Sequence, residues 1–172
     1  FVSGGALRAD LLAGALPYPQ LFEAFRFNNR LARVTLRAGD LRAIFAKNLG
    51  QKGGILSVSG IGVRATCKSG ALEVTLLRDG RAIPDAARLV VASSDFVLTG
   101  GDGFWAGVDP PEIAIDELLL RDAFEAALRE REQLDDRALL VPGEPRIELP
   151  GSRPARRAKA PAARGEEALG RR

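Results

Sequence analysis

The sequence predicts an α+β fold of mixed sheets with two main helices, and three observations carry that prediction. Short runs of alternating or continuous apolar residues recur between turn residues, as strands do. Only two stretches, one from Asp40 to Gly50 and one within residues 113–134, repeat apolar residues at helical spacing. Strands and helices do not alternate regularly, which argues against a doubly wound parallel sheet. With 172 residues, 46% of them hydrophobic, the chain supports one core, and a single domain over residues 1–150 is expected.

Taken in order, Phe1-Val2 reads as the end of a strand entering a glycine turn at Ser3-Gly4-Gly5. The chain opens on Phe1 and contains no Met, so a natural start, the first strand and any leader are expected upstream. Leu7, Leu11 and Leu12 begin a short apolar pattern that Gly14 and Pro17 break, and residues 19–25 form a brief helical turn. From Arg30 to Arg37, Ala32, Val34 and Leu36 alternate with polar positions, the period of a half-buried strand. Asp40 is the predicted N-cap of the first main helix, Leu41, Ile44, Phe45 and Leu49 its apolar face, and Gly50 its C′ residue.

Gln51-Lys52-Gly53-Gly54 is a predicted loop. A strand from Leu56 to Ala65, kinked at Ser59-Gly60, then pairs as a hairpin with Ala71 to Leu77 across the turn Lys68-Ser69-Gly70. Arg88 to Ala92 is an apolar strand leading directly into a glycine-rich loop. The second main helix lies within 113–134, with Leu120, Phe124 and Leu128 on one face and charged residues at its end, and Arg146 to Leu149 closes the domain as a strand.

The net charge of +3 misrepresents the folded part. Residues 151–172 carry seven Arg or Lys against two Glu, a net of +5, which leaves −2 for residues 1–150. The basic segment, rich in Pro, Ala and Gly, has too little apolar surface to offset its ordering entropy and reads as a disordered tail. Nucleic acid is therefore not the expected partner, since a basic tail alone supports only salt-sensitive, sequence-independent binding. No apolar run approaches the length of a membrane span.

The single cysteine, Cys67, excludes an internal disulfide and is expected to pack as a strand residue. With no His, the chain lacks the base that a Ser or Cys nucleophile needs, and it lacks the usual company of a zinc site. The glycines at 50–54 do not show the Gly-Lys-Ser/Thr order of a phosphate-binding P-loop. Asp95 and Asp102 are the nearest carboxylates that might pair for acid–base work, but their spacing defines no distance between them.

What remains is a ligand loop, Ser93-Ser94-Asp95-Phe96-Val97-Leu98-Thr99-Gly100-Gly101-Asp102-Gly103-Phe104. A lone acid among glycines can accept two hydroxyl hydrogen bonds, as from a ribose diol, or cap its own turn through an Asx bond. Phe27 and Phe96 each sit where an element ends and a polar or glycine-rich segment begins. They are placed either to sandwich a planar base or to pack in the core. Arg8, after Gly4-Gly5-Ala6-Leu7, suits an anion contact or a plain surface position. Asn29 suits a base edge or a turn cap, and Gly53 a ligand loop or a hairpin.

The order and spacing of Ser3-Gly4-Gly5-Ala6-Leu7-Arg8, Phe25-Arg26-Phe27-Asn28-Asn29, Gly53 ahead of Ser59-Gly60, Asp95-Phe96 and Gly100-Gly101-Asp102-Gly103-Phe104 resemble the carboxy-terminal, substrate-binding domain of the 5'-nucleotidase and UDP-sugar hydrolase family of metallophosphoesterases. Ser3 stands where the family has Asn, Ala6 where it has Gly, and Arg26 where it has Pro. The resemblance implies an α+β domain of that type, truncated at its amino end. It implies that Phe27 and Phe96 stack on the nucleobase, Asp102 binds ribose hydroxyls, Arg8 contacts phosphate, and Asn29 with the Gly53 loop completes the base pocket. It also implies divalent metal ions in a separate amino-terminal domain, a periplasmic or extracellular location, and no catalysis by this chain alone. A non-catalytic nucleotide-binding or scaffold protein is the alternative.

Overall fold

The computed structural model describes residues 2–3, 6–50, 56–105, 107–131, 133, 135 and 145–149. The elements run β1 (Val2–Ser3), α1 (Tyr18–Ala24), β2 (Arg30–Arg37), α2 (Ala38–Gly50), β3 (Leu56–Ser57), β4 (Gly62–Lys68) and β5 (Ala71–Arg78). They continue with β6 (Arg81–Ala82), β7 (Arg88–Ser94), α3 (Asp95–Leu98), β8 (Ile113–Leu119), α4 (Leu120–Arg129) and β9 (Ile147–Glu148). The fold is α+β. One sheet has the order β7-β2-β8, a second β6-β5-β4-β9, and β1 pairs with β3. All described pairings are antiparallel except β4 with β9.

Strand β2 reads as its alternation predicts: Ala32, Val34 and Leu36 are buried and the residues between them face outward. Their apolar face meets Leu89 and Val91 of β7, Leu41, Ile44 and Phe45 of α2, and Val63, Val74 and Leu76 of the second sheet in one continuous core. A smaller cluster of Leu21, Ala24 and Phe25, backed by Leu128, joins α1 to α4.

The predicted cap of α2 is corrected. The helix starts at Ala38, straight from β2, with Asp40 inside its first turn and Gly50 as its last residue. The backbone supplies the cap, because the Ala38 N–H donates to the Ala87 carbonyl at 2.8 Å and the Gly39 N–H to the Asp85 carbonyl at 3.0 Å. Arg42 locks this junction through a two-pronged bond to Asp85 at 2.8 and 3.1 Å. That bond raises the Arg42 pKa and lowers that of Asp85 below the ordinary carboxylate value.

The predicted strand 56–65 is two strands. The chain turns at Gly60 (φ 81°), so β3 pairs with β1 while β4 pairs with β5. Ser69 (φ 51°) and Gly70 (φ 80°) both occupy the left-handed region that a two-residue hairpin requires. The same chemistry recurs at Asp79-Gly80, producing the β5–β6 hairpin that hydropathy alone does not signal.

The second main helix is α4, inside the predicted span 113–134, and the residues before it, Ile113–Leu119, form an edge strand that pairs with β2 through a bulge between Arg30 and Ala32. Two further expectations change. Between β7 and the glycines, Asp95–Leu98 is a one-turn helix rather than loop. Cys67 lies in β4 but is exposed. Gly53 and the basic segment 151–172 lie outside the described residues.

Candidate functional site

The end of the β7-β2-β8 sheet gathers the residues that the sequence singles out. Register pairs Leu31 with Ser94 and Arg30 with Leu119, so the amino end of the central strand lies beside the carboxyl ends of both neighbours. The segment before β2 (residues 25–29), the segment after β7 (95–105) and the first turn of α4 therefore leave the sheet at one end.

The segment after β7 is held from within. Ser94 Oγ accepts from the Val97 N–H at 3.3 Å, and an Asp95 carboxylate oxygen accepts from the Phe96 N–H at 2.7 Å. These bonds start α3 and turn Phe96 outward, 50% exposed. Gly101 lies against that ring: a Cβ added there would stand 2.5 and 2.7 Å from two Phe96 ring carbons and nearer still to its carbonyl oxygen. Only glycine allows this approach. Phe104 and Trp105 then enter the core edge-to-face at 5.1 Å between centroids, and Trp105 Nε1 donates to the Leu98 carbonyl at 2.6 Å.

Asp102 sits at the tip with φ 55°, a left-handed conformation that Asp tolerates better than most residues. Among the described residues its carboxylate has no hydrogen-bond or ion-pair partner, so the Asx turn is not formed and both oxygens are open to a ligand.

On the other side, Phe27 is 42% exposed and carries the Arg8 guanidinium 5.1 Å from its ring centroid. The Arg8 N–H donates to the Ala24 carbonyl at 3.0 Å, which ties the residue 8 segment to the end of α1. Asn29 is half-buried. Its backbone carbonyl accepts from the Leu120 N–H at 2.8 Å, while among the described residues its side-chain amide has no partner.

The structure thus brings Arg8 against Phe27, places Asn29 in the same segment, and sets Phe96 and Asp102 at the same sheet end. Together they offer two exposed rings, a cation, an amide and an unpaired carboxylate. A groove of about 1060 Å³ lies elsewhere, between residues 11–16 and α4, and none of these five residues borders it. Its mostly apolar wall and internally paired Glu125–Arg129 make it the poorer match for a polar ligand.

Arg121 is the residue that sequence reasoning missed. It is 6% exposed, and it donates to Tyr18 Oη (3.2 Å), the Phe25 carbonyl (3.1 Å) and Asn28 Oδ1 (3.2 Å), with its guanidinium 4.6 Å over the Phe22 ring. Its available signal was an arginine spaced i, i+3 and i+7 with Phe124 and Leu128, on a helix face otherwise suited to burial. Trp105, the only tryptophan, was the equivalent signal in the glycine loop.

Among the described residues no three His, Cys, Asp or Glu side chains group closely enough to hold a metal ion, and the chain has no His. These residues do not fit a di-metal centre, so no metal-dependent step is assigned to them. No described helix is long and apolar enough to cross a membrane.

The fold has solved counterparts. A 5'-nucleotidase precursor from Thermus thermophilus superposes with a TM-score of 0.73 at 21% identity, over 88% of this chain and 31% of its own. The NAD nucleotidase of Haemophilus influenzae superposes with a TM-score of 0.71 at 18% identity, over 88% of this chain and 29% of its own. The chain therefore spans about a third of the length of either. No curated protein matches it. The family model described as "5'-nucleotidase, C-terminal domain" matches residues 1–108, the span that holds all five of the described candidate residues. With the motif order, the shared fold and this match in agreement, the chain belongs to the 5'-nucleotidase C-terminal domain family.

Proposed function

We propose that this chain is the nucleotide- or nucleoside-binding domain of a 5'-nucleotidase-type, metal-dependent phosphohydrolase that acts in nucleotide catabolism. In this reading Phe27 and Phe96 stack on the base, Asp102 accepts from the ribose hydroxyls, and Asn29 with the Gly53 loop reads the base edge. Arg8 faces the phosphate. The observation that carries the reading is the convergence of two exposed rings and an unpaired carboxylate at one end of the β7-β2-β8 sheet. A ring contributes about 1–3 kcal/mol per stacked base, and a carboxylate accepting two hydroxyl bonds holds a vicinal diol in one orientation.

The chain's own chemistry is binding and orientation. By family resemblance, the divalent metal ions that would activate water belong to an amino-terminal metallophosphoesterase domain, with periplasmic or extracellular residence. Calorimetric titration of AMP and adenosine into the chain, without metal, tests the reading. Weak binding is expected for the parent, with Phe96→Ala and Asp102→Ala each about tenfold weaker. Parental affinity in both variants would remove the pocket assignment.

A further inference from the structure

We propose that Arg121 is the positioning residue of the base pocket: from the first turn of α4 it fixes the Phe25–Asn29 segment in the conformation that presents Phe27 and Asn29. This rests on the reading of those two residues as base contacts. Burying a guanidinium is costly unless its donors are satisfied, and here the satisfaction is specific. Of its five N–H donors, one goes to the Phe25 carbonyl and another to Asn28 Oδ1, positions that flank Phe27 on both sides. A third goes to the Tyr18 hydroxyl on α1, and the plane covers Phe22.

The nearest carboxylate, on Asp122, is 4.0 Å away and partly exposed, so the buried cation is held chiefly by neutral acceptors of the segment it restrains. The adjacent Leu120 N–H grips the Asn29 carbonyl at 2.8 Å. One turn of α4 therefore holds residues 25, 28 and 29 from some ninety positions away in sequence, and Phe27 is left as the free ring of a clamped segment.

Two substitutions separate this role from simple packing. Arg121→Met keeps the stem volume and removes every donor, whereas Arg121→Lys keeps the charge with a compact head that cannot span the same acceptors. Amide hydrogen exchange on the intact chain is expected to quicken by about tenfold or more in Arg121→Met at Phe25 and at Leu120, whose N–H groups donate to the Leu21 and Asn29 carbonyls, and to stay at parental rates in residues 95–104. Arg121→Lys is expected to fall between, and it carries the test if Arg121→Met does not fold.

AMP titration completes the cycle. Arg121→Met should weaken binding about tenfold in the parent and in Phe96→Ala, with little added loss in Phe27→Ala, because the clamp acts through that ring. An equal loss in the Phe27→Ala background, or unchanged exchange at Phe25 and Leu120, would overturn the proposal. If the parent does not bind AMP, it is the functional reading that fails, and exchange at Phe25 and Leu120 alone decides the clamp.

Discussion

The two halves of the candidate site are built by opposite means. The half after β7 takes its shape from local bonds: Ser94, Asp95, Gly101 and Trp105 set the turn that carries Phe96 and Asp102 through contacts that span at most seven residues. The half before β2 is held locally only at its start, where the Phe25 N–H donates to the Leu21 carbonyl. Phe25, Asn28 and Asn29 are restrained by Leu120 and Arg121, and Arg8 approaches Phe27 from the chain start. A locally wired loop keeps its shape while its own residues are intact, whereas a remotely clamped one depends on a helix some ninety positions away in sequence.

The largest effect should come from Trp105→Ala. It removes a buried indole and the Nε1 bond to Leu98, a loss of about 3–5 kcal/mol in denaturant unfolding. Amide protection should fall in residues 95–104 and persist at Phe25 and Leu120. A uniform loss across both segments would break the contrast between them.

Gly101→Ala sharpens the same contrast at smaller scale. The added methyl must displace Phe96, so stability should drop by about 1–3 kcal/mol and AMP binding should weaken as in Phe96→Ala. Parental stability and affinity would show that the ring is not seated on this glycine.

The smallest effect lies outside both halves, at Arg42–Asp85. The Arg42 bond keeps the Asp85 carboxylate ionised below its usual range. Its contribution to stability is therefore present above the ordinary carboxylate pKa and disappears as pH falls through the lowered folded value. Both residues are largely exposed, so the effect should be slight. Chemical denaturation of Asp85→Asn from neutral pH down through the ordinary carboxylate pKa should show a flatter acid limb, with protection of Phe25, Leu120 and residues 95–104 unchanged. A steeper limb would contradict the assignment.

How much could be read beforehand follows the same division. The strand Arg30–Arg37, the hairpin turn Ser69-Gly70 and the Gly100–Phe104 loop were legible because their signals are local: period two, a positive-φ dipeptide, and glycines around one acid. The strand at 113–119 carries no local signal, and the start of α2 differs from its predicted cap, because neighbours decide both. β2 offered Ile113–Leu119 an open edge, and the carbonyls of Asp85 and Ala87 replaced a side-chain cap. Arg121 carried a faint signal, an arginine on an apolar helix face, with nothing local to name its acceptors.

By itself, the sequence determined the α+β class, the family and five of the groups now gathered at one sheet end, because side-chain chemistry and short-range turn geometry travel with the residues. Only the tertiary structure decided that these groups leave one end of the β7-β2-β8 sheet, that Asp102 keeps an unpaired carboxylate among the described residues, that Arg8 rests on Phe27, and that Arg121 donates to Phe25 and Asn28. Each of these depends on register between strands or on donors and acceptors far apart in the chain, and no periodicity along one segment encodes the partner waiting on another.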